Sequence, residues 1–342
     1  MLTLLCPGLL GPIPAIPDSL PPVPTLDRLL ARADRIATGH DDAGRALLES
    51  FGIAADPEGD PPTAPLSLLG EACDEPRDGY WMHADPVHLR PDRDRLLLYS
   101  GAAIAPTRKE ADDLIALFNA HFGSDGLRLT APWPDRWYLR SDQELDLKSE
   151  PLHRVTGGPI SADSPRGEDA RRWSGLMSEI QMLFFASEVN RSREQEGRPA
   201  ISGIWTWGGG RLSEPSGDAP DVVIGDDPLT LGLARWAGVA HRTLGRWSEQ
   251  GPSAKGRCVV LWDRLRAALS GHDLTAWSSA LVDLNARLAE SELALGRQEV
   301  AVILIDPCRG NAYRVSRPAL RRFWRRRRFA DALSQSIADR SR

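Results

Sequence analysis

Short apolar runs recur along the chain at Leu2–Leu5, Leu96–Tyr99, Trp137–Leu139, Cys258–Trp262 and Val300–Ile305, each closed off by polar or turn-forming residues. Runs this short and this apolar predict buried strands rather than helices. Between them lie stretches with apolar residues at i, i+3 and i+4: residues 25–37, 108–122, 169–190 and 275–295, with Thr25 and Thr107 placed to cap the first two. Strands alternating with amphipathic helices predict an α/β fold. With 42% apolar residues in 342, the chain has enough material for a full core.

Two stretches rich in Pro, Gly and Asp, residues 53–65 and 212–221, read as exposed connections bracketing a central block. The expectation is a discontinuous α/β core made of residues 1–70 and 222–342, with residues 71–221 inserted as a second lobe. The opening "MLTLLCPGLLGPIPAI" is apolar but lacks a basic region and is interrupted by Pro7, Gly8, Pro12 and Pro14, so a strand and loop are expected there rather than a signal helix. No run approaches the roughly 20 apolar residues of a bilayer span. Cys6, Cys73, Cys258 and Cys308 are scattered without zinc-site spacing, which points away from a disulfide framework and toward a reducing cytoplasm.

"GRPAISGIWTWGGG" (197–210) places an Ile-Trp-Thr-Trp alternation ahead of three glycines. The alternation suits a strand ending in a turn. Three glycines also offer backbone N–H groups to an anion, although the lysine and hydroxyl of a Walker loop are missing. Across residues 189–210, Asn190, Arg193, Gly197, Pro199, Ile204, Trp205, Trp207, Gly208 and Gly210 follow in order a pattern of the archaeal-type bisphosphoglycerate-independent phosphoglycerate mutases, which this stretch resembles. Residues 24–34, 65–70 and 106–129 are similar to further segments of that family. Residues 81–98, 178–190 and 306–328 resemble the proteobacterial RpfE-type regulatory proteins more closely. The likeness implies an alkaline-phosphatase-like core with an inserted α/β lobe, reduced relative to the mutases. It also makes Asn190, Arg193, Trp205, Trp207, Gly208 and Gly210 candidates for binding an anion such as a phosphorylated small molecule.

Mutases of this kind use two divalent metals, Mn or Mg, and a serine nucleophile. Cys6 and Pro7 stand where the resemblance places the first metal-binding Asp, and Pro61 and Pro62 where it places Ser-Asp. Leu98 and Ala103 replace an acid and a histidine; Asp263, His272 and Asp306 remain as isolated ligand candidates. Thr63 has no sequence neighbour able to activate it. The expectation is a catalytically degenerate, regulatory or anion-sensing protein without a cofactor, against two alternatives: a metal-dependent phosphotransferase and a nucleic-acid-binding regulator.

One local constellation stands apart from the resemblance. His83, Asp85, His88, Asp92 and Asp94, within "HADPVHLRPDRDR", suit a metal or an acid–base pair, while the Asp-Pro and Arg-Pro-Asp steps suit turns whose carboxylates bond the backbone. Near the end, Arg321, Arg322, Arg325, Arg326, Arg327 and Arg328 surround Phe323 and Trp324. The net charge of −5 shows that the remainder is acidic. This tail is therefore expected to fold back on the chain's own acidic face, contact an acidic protein or mediate self-association, in preference to nucleic acid.

Overall fold

The computed structural model describes residues 1–11, 13, 19–37, 42–53, 60–71, 78–93, 95–160, 164–215, 217–247, 256–295, 302–306, 311–316 and 318–338. Asp94, and residues 54–59 within the first predicted connection, lie outside the described residues. The described strands are β1 (Leu2–Leu5), β2 (Asp34–Ala37), β3 (Tyr80–Asp92), β4 (Arg95–Tyr99), β5 (Leu127–Trp133), β6 (Arg136–Ser141), β7 (Gly203–Gly210), β8 (Val222–Ile224), β9 (Ala240–Arg242), β10 (Cys258–Leu261), β11 (Val302–Asp306) and β12 (Asn311–Val315). The chain divides into two compact units, Met1–Ala54 with Pro215–Arg342, and Ala55–Glu214.

The first unit is built on a seven-stranded sheet of order β2-β12-β11-β1-β10-β8-β9. Strand β1 pairs in parallel with β10 and β11, which arrive from the far end of the chain, and β8 and β9 extend the parallel set. A parallel strand is covered on both faces, which accounts for the unbroken apolar "LTLL". Leu2 and Leu4 join Leu26, Leu29, Trp277, Leu281 and Phe329 in one core. The first helix, α1, runs Pro24–Arg32, with Pro24 in its first turn and no side-chain cap from Thr25. Asn285 fills that role from a neighbouring helix: its Oδ1 accepts from the amides of Thr25 and Leu26 at 3.0 and 3.1 Å. Residues 34–37 leave the predicted helix because β2 gains ladder partners on β12, from Asp34 opposite Arg314 to Ala37 opposite Asn311.

The second unit has a five-stranded antiparallel sheet, β4-β3-β6-β5, with β7 also paired to β3. Helix α2, Ala43–Ser50, belongs to the first unit, whereas α3, Thr63–Gly70, belongs to the second. The break therefore falls before residue 55 rather than after 70: Ala64 and Leu68 of α3 bury themselves against Trp81 and Tyr138. Helix α4, Arg108–Phe122, starts where its spacing predicts, with a capping box between Thr107 and Glu110. The predicted helix 169–190 is two helices, because Ser187 stops the first run and its hydroxyl accepts from the Asn190 amide, capping the second.

Candidate functional site

The three glycines of β7 occupy places where other parts of the second unit press against the strand. A Cβ on Gly208 (φ +63°) would lie 2.3 Å from Thr63 Oγ1 and 3.0 Å from His83 Cδ2. On Gly209 it would meet the Tyr80 hydroxyl at 2.3 Å, and on Gly210 the Pro62 Cβ at 2.4 Å. The space that side chains would fill is taken by the protein itself. These glycines thus admit the start of α3 and the flank of β3, a close backbone approach rather than a terminal turn.

Around Gly208 lies a buried polar set. His83 and Asp85, two residues apart on β3, point to the same face of the sheet. His83 stacks on Trp207 with ring centroids 3.9 Å apart, and the Trp207 indole donates to Asp85 Oδ2 at 2.8 Å. Burial pushes the His83 imidazole down to about 3 and the Asp85 carboxyl up to about 7, the Trp207 hydrogen bond drawing Asp85 partly back. Thr63 is 2% exposed and His83 7%, yet among the described residues neither Thr63 Oγ1 nor His83 Nε2 has a hydrogen-bond partner. Thr63, His83 and Asp85 thus lie together inside the second unit around Gly208 and Trp207. Sequence reading finds His83 and Asp85 only within the wider group of five His and Asp side chains at 83–94; their meeting with Thr63 depends on packing between distant segments.

The rest of the constellation disperses. The turns expected at Asp85-Pro86 and Arg90-Pro91-Asp92 are absent, because β3 runs on through both as a 13-residue strand. His88, of opposite parity to His83, has its Nδ1 2.9 Å from the Ala200 carbonyl, and Asp92 is exposed at the end of the strand. Among the described residues no three His, Cys, Asp or Glu side chains are grouped to hold a metal ion.

Asn190 and Arg193 are buried and committed. Asn190 Nδ2 donates to the carbonyls of Phe184 and Ile201 at 2.9 and 2.8 Å, and its Oδ1 accepts from the Ile201 amide at 2.7 Å. Arg193 donates to the carbonyls of Pro199 and Ile104 and, at 2.9 Å, to Glu110 Oε2. Burial pulls the guanidinium below its usual range while Glu110 draws it back. An anion arriving here would have to displace the protein's own acceptors. Trp205 is also engaged, donating to the Glu150 carbonyl at 2.8 Å.

In the first unit, the C-terminal edge of the parallel strands is where ligands meet open α/β sheets in general. Cys6 ends β1 buried. Asp226 Oδ1 accepts from the Leu244 amide at 2.8 Å, and Arg264 lies 3.6 Å from its other oxygen. Asp227 spends both oxygens on Thr230, capping the helix Pro228–Ala237. Burial, then Asp227, pushes the Asp263 carboxyl upward. Arg264 and Arg287 stand over the Trp262 ring at 5.1 and 5.6 Å. Asp226 and Asp227 are thus taken up by the backbone and Thr230, and the Arg264 guanidinium stands beside Asp226, so these residues do not fit the metal pair that the resemblance to the mutases implies. His272 closes the helix Arg264–Ser270 at φ +56°; Asp306 ends β11, and its side chain lies outside the described residues.

A parallel α/β sheet with a separate antiparallel lobe is an architecture shared with solved structures. The chain is similar in fold to the PH0037 protein from Pyrococcus horikoshii, at TM-score 0.57 and 15% identity over 97% of this chain and 91% of that one. It also aligns with the cofactor-independent phosphoglycerate mutase from Thermoplasma acidophilum, at TM-score 0.41 and 14% identity over 99% and 97% of the two chains. In sequence it is 26% identical over 129 residues to a probable 2,3-bisphosphoglycerate-independent phosphoglycerate mutase of Geobacter sulfurreducens, covering 36% of this chain and 32% of that protein. A mutase of Methanothrix thermoacetophila is 37% identical over 65 residues, covering 19% and 17%. The matches thus span about a third or less of the curated relatives, and no family model matches. The relationship to these mutases is a distant one.

Proposed function

We propose that this chain is a catalytically degenerate relative of the phosphoglycerate mutases with a regulatory or small-anion-sensing role. The observation that carries this reading is the C-terminal edge of the parallel sheet. Cys6 and Pro7 follow β1, the amide and hydroxyl of Thr230 take both Asp227 oxygens, and Arg264 lies 3.6 Å from Asp226. A two-metal phosphoryl transfer needs acids free to bridge cations, and cations repel guanidiniums. The likeness of residues 81–98, 178–190 and 306–328 to RpfE-type regulatory proteins supports the regulatory half, and the cysteine pattern supports a cytoplasmic location.

The full chain, supplied with manganese or magnesium, is expected to interconvert no phosphoglycerates and hydrolyse no phosphate monoesters above a metal blank. Turnover that scales with protein and vanishes with chelator overturns the proposal. It would install the second reading, a metal-dependent phosphotransferase, which the proximity of Asp226 and Asp227 to Asp263 favours. Binding is checked by calorimetry with 3-phosphoglycerate, where saturable heat without turnover is the expected result.

A further inference from the structure

The Arg-rich tail presents a surface that the mutase relationship does not explain. Its segment between β12 and the helix Phe329–Ala338 is fixed at both ends. Ahead of it, the Leu320 carbonyl accepts from Arg32 Nη1 at 2.6 Å. Behind it, the Phe329 amide donates to Asp27 Oδ1 at 2.6 Å, and the Phe329 ring is buried 6.2 Å from Trp277. Between these anchors the Arg325 amide donates to the Arg322 carbonyl at 3.1 Å, closing a turn with Phe323 and Trp324 at its tip.

Two of the tail's arginines turn back onto the chain: Arg322 donates to Asp34, Arg325 lies 3.6 Å from the same carboxylate, and Arg322 holds Asp34 below the usual carboxylate range. The aromatic rings do not follow them: Phe323 is 76% exposed and Trp324 66%, the rings meeting edge to face at 5.3 Å. The Asp34 contacts fix the turn so that its tip points away from the core. Two large rings are thereby held in water on a firmly anchored turn, with Arg321, Arg325, Arg326 and Arg328 exposed around them. Asp331 bonds the Arg328 amide and Arg327 donates to Gln335, so cations outnumber acids along this rim.

We propose that this turn docks on the surface of an anionic lipid bilayer. A convex apolar tip with a cationic rim suits an occupant that is anionic and yields around the rings. A headgroup layer does both: aromatic rings settle at the boundary with the acyl chains while arginines reach the phosphates. Single-stranded nucleic acid calls for a basic groove that tracks its backbone over several nucleotides, and this rim is one turn long. A protein partner would need a preformed apolar pocket with an acidic rim shaped to this convex tip, whereas a headgroup layer yields around it. The acidity of the remaining chain does not oppose docking, since salt screens charges beyond about 8 Å. Attachment would be peripheral, because no described helix is long and apolar enough to cross a membrane.

Co-sedimentation of the full chain with vesicles at physiological salt tests this. Binding is expected to vesicles of phosphatidylcholine and phosphatidylserine at roughly 2:1, and not to phosphatidylcholine alone. Phe323→Ser with Trp324→Ser should abolish it, and Arg326→Gln with Arg328→Gln should weaken it about tenfold or more. All four residues are exposed, so thermal unfolding of the variants should match that of the parent chain, keeping loss of binding distinct from loss of fold. Absence of binding to anionic vesicles, or binding that survives the double aromatic substitution, overturns the proposal. So does binding of a single-stranded oligonucleotide that the same substitutions remove and vesicles do not compete away.

Discussion

The two sheets handle polar side chains in opposite ways. Around the seven-stranded sheet the acids gather at the C-terminal edge, where Asp226 and Asp227 receive backbone amides. Carboxylates spent on backbone amides in this way do structural service. In the five-stranded sheet His83 and Asp85 sit inside, on the inward face of β3, with Thr63 beside them. Burial there pushes the imidazole down and the carboxyl up, and among the described residues Thr63 Oγ1 and His83 Nε2 have no hydrogen-bond partner. Asp226 and Asp227 at that edge thus serve the backbone, with the Asp263 carboxyl beside them pushed upward by burial, whereas the second unit sets a histidine and a carboxyl side by side inside its sheet.

The largest effect should come from Arg193, whose side chain is fully buried against Glu110. Removing one partner of a buried ion pair commonly costs about 3–5 kcal/mol, and Arg193→Met also leaves the Pro199 and Ile104 carbonyls without their donor. Arg198, the second partner of Glu110 at 2.7 Å, limits the damage to that acid. Urea unfolding would measure the loss. Should Arg193→Met keep its stability while losing affinity for 3-phosphoglycerate, the residue is a ligand group and the second unit's polar groups divide differently from the account above.

The next effect is read against pH. His83, ordinarily near 6.5, is held neutral in the fold down to about 3, so its share of stability is present above 6.5 and drains away as pH falls toward 3. Asp85, ordinarily near 3.8, keeps its proton in the fold up to about 7, so its burial costs increasingly more stability as pH rises from 3.8 to 7. The two slopes oppose each other and nearly cancel between about 4 and 6.5. Asp85→Asn, which preserves an acceptor for the Trp207 indole, should expose the His83 slope and stabilise the chain at pH 8 by on the order of 3 kcal/mol. Unfolding curves across this range check it. If parent and Asp85→Asn show the same pH profile, the carboxylate is solvated, and the contrast between the sheets collapses.

Legibility in the sequence followed the range of the forces involved. Helix α4 is plain because its cap and its stripe lie within one turn of each other, as are β1, β10 and β11 through their unbroken apolar runs. β3 reads as turns because of Pro86 and Pro91. Yet each proline faces a single paired neighbour, Ile204 on β7 and Leu96 on β4, where a missing amide hydrogen is tolerated. Asn190 and Arg193 stand out in the sequence, but their role does not, since Glu110 both completes the α4 capping box and receives Arg193. The meeting of Thr63 with His83 at Gly208 joins three segments that no local spacing connects.

The smallest effect bears on the other side of the comparison. If the edge acids are caps, Asp227→Ala should cost about 1 kcal/mol, the usual worth of a side chain that accepts from the third helical amide. The Thr230 hydroxyl, which also donates to Asp227, loses its recorded acceptor, so Asp227→Asn should recover most of the stability by supplying a neutral oxygen. A metal ligand behaves otherwise: the amide would be nearly as damaging as alanine, because a divalent ion needs the charge. Melting Asp227→Ala and Asp227→Asn with and without manganese separates the two. Rescue by asparagine in both conditions leaves the edge structural. A parent chain that gains stability from manganese, where neither variant does, would return catalysis to the seven-stranded sheet.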